Sequence, residues 1–121
     1  MNIFVDYKKK IILILKKLEK KNIIKIPTNL NGIVVELPPK NEEADISCNA
    51  ALIISKINNK SPSDIAQILK KHFFLTFKEF EGIYIAGPGF LNIRFKISFW
   101  KKNLSYIINQ NTKYGSFRDK K

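Results

Sequence analysis

Disulfide chemistry is excluded from this chain, because its 121 residues contain one cysteine, Cys48. A single thiol cannot close an internal bridge, so the fold must rest on its hydrophobic core, and a reducing cytoplasm is the expected compartment. Histidine is equally scarce. His72 stands alone, with no second histidine or nearby cysteine to share a metal, so no metal site is expected. Long apolar runs are also missing. The longest near the start, Ile11 to Leu15, is enclosed by Lys10 and Lys16. A spanning helix needs about twenty apolar residues, and a signal peptide carries a longer apolar core. The chain therefore predicts a soluble protein without a membrane segment.

Acidic residues are few, ten against 22 basic ones, which leaves a net charge of +12. An excess of this size points to a polyanionic partner. Arginine is almost absent: only Arg94 and Arg118 are not lysine among the basic residues. Lysine, isoleucine and asparagine together are also what an AT-rich genome favours. Charge alone leaves RNA contact and compositional drift both open. Catalytic chemistry has no foothold. There is no paired acid and histidine beside a nucleophile and no glycine-rich phosphate loop with lysine. Gly87-Pro88-Gly89 is too short for such a loop, and Pro88 lacks the backbone donor that phosphate cradling would use.

What is present suffices for one domain, which at this length buries roughly two thirds of its unfolded surface. Phe4, Tyr7, Ile11, Ile14/Leu15 and Leu18 recur at helical spacing, with lysines filling the broad remaining face. That pattern predicts an amphipathic helix. Residues 33–37 read as a strand ended by Pro38-Pro39. Residues 46–57 read as a helix capped by Asp45 or Ser47, with Cys48 a small buried thiol within it. Glu36, Glu42, Glu43 and Asp45 form an acidic cluster, more simply a solvated loop and cap than a cation site. Ser61-Pro62-Ser63-Asp64 is a helix start: Ser61 caps, Pro62 fits the first turn and Asp64 complements the positive end. This helix should reach about His72, and residues 73–80 fit either a helix end or a ragged strand. A last helical pattern begins with Phe99 and Trp100 and includes Leu104, Ile107 and Ile108. The expected order is helix, strand, helix, helix, strand, strand, helix. It predicts an α+β, two-layer domain: a small antiparallel sheet of three to four strands, with a hairpin at 82–95, packed against about four helices.

The hairpin is the most informative stretch. Gly87-Pro88-Gly89 joins two strand-like runs, 82–86 and 91–95, and reverses the chain cheaply. Phe90 and Asn92 are two apart and share a strand face. A ring beside a carboxamide can receive an unpaired nucleotide, the ring stacking on the base and the amide reading its edge. Spacing alone favours the plainer reading, a hairpin whose Phe feeds the core.

Five motifs in order give a resemblance. Strand 33–37 runs into Pro38-Pro39. Ala44-Asp45-Ile46-Ser47-Cys48-Asn49-Ala50-Ala51-Leu52 follows, then Ser61-Pro62-Ser63-Asp64-Ile65-Ala66, Ala86-Gly87-Pro88-Gly89-Phe90-Leu91-Asn92, and Tyr114-Gly115. The series resembles the N-terminal additional domain of arginyl-tRNA synthetase and covers nearly the whole chain. Ala44, Ile46 and Glu43 depart from the family's usual glycine, aromatic and histidine.

The resemblance implies residues 1–112 as that domain and 113–121 as a basic linker towards an absent catalytic domain. It implies a tRNA-binding part of a class I arginine–tRNA ligase, monomeric and inactive alone. The family's His-Ile-Gly-His-like and Lys-Met-Ser-Lys-Ser-like motifs do not occur here, so ATP with magnesium belongs to the missing part, and this fragment carries no cofactor. The family contacts the D-loop at the outer corner of tRNA through an aromatic and an amide, which fall on Phe90 and Asn92. Arg94 and Lys96 are expected on the tRNA backbone. The alternatives are a non-specific RNA-binding module and a structural docking domain without RNA readout.

Overall fold

The computed structural model describes residues 2–39 and 43–103. Helix α1 (Ile3–Lys20) buries Ile3, Tyr7, Ile11, Ile14, Leu15 and Leu18 and exposes its lysines apart from a half-buried Lys8. Asn2 caps it, its side-chain oxygen accepting from the Phe4 amide at 2.8 Å. Asn22, in the left-handed region at φ 62°, ends it while Ile23 N donates to Leu18 O. This is the hydrogen-bond pattern of a left-handed helix stop, with asparagine in place of glycine.

The chain then enters β1 (Val35–Glu36) and β2 (Ile46–Cys48), followed by the short helix α2 (Ala50–Ile54) and the longer α3 (Pro62–Thr76). Strands β3 (Phe80–Ala86) and β4 (Phe90–Phe95) form the hairpin, and α4 (Ile97–Lys102) closes the described part. The sheet runs β1-β2-β4-β3, antiparallel at every pairing. Among the described residues, a four-stranded sheet with four helices matches the α+β expectation.

The strand period of two sorts the sheet into faces. Ile46, Cys48, Leu91, Ile93 and Phe95 join the side chains of α1, α2 and α3 in one buried core. Tyr7 and Phe95 have ring centroids 5.0 Å apart, and Phe95 stacks on Phe99 at 4.3 Å. The opposite face carries Ser47, Phe90, Asn92, Arg94 and Tyr84, since Asn92 lies between Ser47 and Tyr84 in register.

Three expectations are corrected. Residues 46–48 are a strand, and the helix does not begin until Ala50. Asp45 looks like a cap, yet its Oδ2 accepts from the Phe95 amide at 2.8 Å, fastening the end of β4. The third helix also continues past His72 to Thr76. The pattern at Leu104, Ile107 and Ile108, Tyr114-Gly115 and the 113–121 segment lie outside the described residues.

Candidate nucleic-acid interface

The hairpin turn is seated on helix α3. Gly87 has φ +55° and Gly89 φ +151°, both in the region that favours glycine. A Cβ on Gly89 would come within 2.8 Å of Pro62 Cβ and 3.0 Å of the Pro62 carbonyl. Pro62 opens α3, where Ser61 Oγ accepts from the Asp64 amide at 3.0 Å. The Ser-Pro helix start and the Gly-Pro-Gly turn therefore fix one another, and through them the start of β4. Gly89 faces Pro62 rather than open space, so the turn does not fit a phosphate cradle.

Phe90 opens β4 opposite Ala86 and is half-buried. Asn92 is also on this face, but it is only 1% exposed. The expectation that the hairpin presents both side chains outward is corrected here: the period of two gives their shared face and not the accessibility of each. Phe90 retains accessible surface; Asn92 offers almost none. Arg94 is paired with acids on both sides. Its Nη1 lies 3.4 Å from Glu43 Oε1, and its Nε lies 3.1 Å from Glu81 Oε1, in ion-pair range though out of line for a hydrogen bond. An arginine so balanced attracts phosphate less than a solvated one. Lys96 is exposed just beyond β4, where its backbone amide donates to Glu79 O at 2.9 Å.

Residues outside the predicted set matter as much. Tyr84, 52% exposed and in register with Asn92, places a second aromatic beside Phe90's face. Counting back from the turn would have found it. Asn49 latches the loop before β1, accepting from Val34 N at 2.7 Å and donating to Gly32 O at 3.0 Å. Burial pushes the Cys48 thiol up to about 12, although the Ala50 amide, donating to Sγ at 3.4 Å, pulls the other way. Such a thiol is a packing group rather than a nucleophile. Among the described residues no three His, Cys, Asp or Glu side chains converge to hold a metal ion, and no helix is long and apolar enough to cross a membrane.

The stretch that contains this geometry is similar to known proteins. The family model for the arginyl tRNA synthetase N terminal domain matches residues 5–95, from the first turn of α1 to the end of β4. The arginine–tRNA ligase of Pelagibacter ubique (strain HTCC1062) is 47% identical over 116 residues, covering 95% of this chain and 20% of that protein. Those of Brucella suis (strain ATCC 23445 / NCTC 10510) and Brucella ovis (strain ATCC 25840 / 63/290 / NCTC 10512) are each 32% identical over 118 residues, covering 98% of this chain and 20% of theirs. The chain thus spans about a fifth of the length of these relatives.

Proposed function

Because the chain belongs to the arginyl-tRNA synthetase N-terminal domain family, we propose that it is the tRNA-binding part of an arginine–tRNA ligase, touching the D-loop at the outer corner of tRNA. The observation that carries this is the hairpin locked on Pro62, which holds a half-buried Phe90 at the start of β4. A rigidly held ring stacks on an extruded base at little ordering cost, worth about 1–3 kcal/mol. Asn92 reads a base edge only if its amide becomes accessible, so stacking by Phe90 is the principal contact. Lysines, Lys96 among them, supply phosphate attraction, which positions the RNA without specifying it. Arg94 contributes less, its charge being shared with Glu43 and Glu81.

Within this proposal residues 1–112 form the domain and 113–121 lead to the remaining polypeptide. That remainder carries the ATP site and joins arginine to tRNA in the cytoplasm, and the ligase acts as a monomer. None of that chemistry is assigned to the described residues.

The burial of Asn92 favours a second possibility, a module that binds RNA through charge and stacking without reading a base. Equilibrium binding of arginine tRNA and of a non-cognate tRNA, each across a salt series, separates the two. Base contact predicts tighter cognate binding at every salt concentration, on top of a steep shared salt dependence of about 0.9 in the log–log slope per phosphate neutralised on duplex. Equal binding of the two tRNAs would favour the non-specific module. No binding even at low salt would leave a docking domain.

A further inference from the structure

Helix α3 and the outer edge of the sheet enclose a groove that the hairpin contact does not use. Lys70, Lys71, Phe74 and Leu75 line it from α3, and Tyr84 from β3, around a volume of about 480 Å³. Sites for small organic groups occupy about 300–1,000 Å³, so the space suits a nucleobase and its sugar. Phe74 is 49% exposed and Leu75 59%. These apolar side chains and the Tyr84 ring form the walls, and both lysines are exposed.

Gly82 shapes the groove from below. A Cβ there would lie 2.7 Å from the Tyr84 hydroxyl and 3.0 Å from Cζ. Without that Cβ the phenol folds back along the sheet edge. The nearest acid in sequence, Glu81, is turned to Arg94. The groove therefore combines ring faces with two exposed lysines.

We propose that this groove takes a second unpaired nucleotide of the bound RNA, its base against Tyr84 and Phe74 and its phosphates near Lys70 and Lys71. Two features select this occupant. The cationic rim on a chain of net charge +12 complements a polyanion. Tyr84 also links the groove to the hairpin, since it is the register partner of Asn92, two residues from Phe90, while α3 lines the groove from the core side of the sheet. Aromatic rings interleaved with lysines are how sequence-tolerant sites hold single strands. The inference shares RNA binding with the proposed function, but it does not depend on the D-loop contact of Phe90.

The test is binding of a short, unstructured oligouridylate to the protein, followed by fluorescence anisotropy across a salt series, with melting curves for each variant. Tyr84→Ala should weaken binding about fivefold or more and leave the salt slope unchanged, whereas Tyr84→Phe should bind as the parent does. Lys70→Ala with Lys71→Ala should lower the log–log slope by about 1.4, at 0.7 per phosphate on a single strand. Phe90→Ala in the same assay marks the hairpin separately. If it alone weakens binding, the groove proposal fails and the hairpin contact stands. If the groove variants weaken binding and Phe90→Ala does not, the groove stands and the hairpin contact fails. A folded Tyr84→Ala protein that binds oligouridylate like the parent overturns the inference. So does sedimentation showing that the groove joins two copies of the chain, separated by Phe74→Ser.

Discussion

Single residues in this fold are held by their neighbours' shapes more than by their own propensities. Gly89 is the clearest case, because both its φ of +151° and the Pro62 atoms within 3.0 Å forbid a side chain. Gly89→Ala should destabilise the domain by about 1–3 kcal/mol through strain and overpacking, measured as a lowered urea midpoint. A parental midpoint would mean that the turn is not seated on α3. Cys48 gives a second, pH-linked prediction. Its thiol ionises near 12 in the folded state against an ordinary 9.0. The folded chain therefore keeps a proton that the unfolded chain loses between those values, and stability falls as pH rises through that window. Below it the thiol contributes no pH dependence. Iodoacetamide at pH 8 should leave Cys48 unmodified in the native protein and label it fully in urea; rapid native labelling would contradict its burial. The residues around the turn were legible in the sequence because glycine and proline have few uses. The burial of Asn92 was not, since alternation along a strand fixes direction and says nothing about cover.

Elements differed in how plainly they declared themselves. Helices α1 and α3 were readable from an apolar stripe and from Ser61-Pro62, and the structure keeps both signals. Strand β2 was hidden. It is short, all three of its residues are buried, and it runs almost directly into α2, so no polar alternation separates strand from helix. Asp45 added to the ambiguity, because a carboxylate before an apolar run resembles an N-cap while here it accepts from Phe95 N. This side chain and Asn49 are tertiary fasteners, one tying β4 and the other tying the loop before β1. Asp45→Ala should cost about 1.5–3 kcal/mol and Asn49→Ala about 1–2 kcal/mol, each by leaving backbone groups without their partners. Chemical denaturation measures both. Changes within about 0.5 kcal/mol, the range of ordinary surface substitutions, would show that these bonds fasten nothing.

At the scale of the molecule, the described residues form a sheet with helices on its core face and two aromatics, Phe90 and Tyr84, on the other. The fold class followed from the order of elements, and the family from five motifs that bring the turn, the helix start and the β2 region together. Net charge suggested a polyanion but could not locate the contact, because the sequence spreads its lysines over α1, α3 and the hairpin's end while only folding shows which lie beside exposed rings. The central claim is that Phe90 stacks on a tRNA base. It is tested most directly by kcat/KM for arginine tRNA in the full-length ligase carrying Phe90→Ala, with a melting curve beside it. Loss of stacking predicts a fall of roughly ten- to a hundredfold, or about 1.4–2.7 kcal/mol, with arginine and ATP parameters near the parental values. A folded Phe90→Ala ligase that charges arginine tRNA with parental kcat/KM would contradict it.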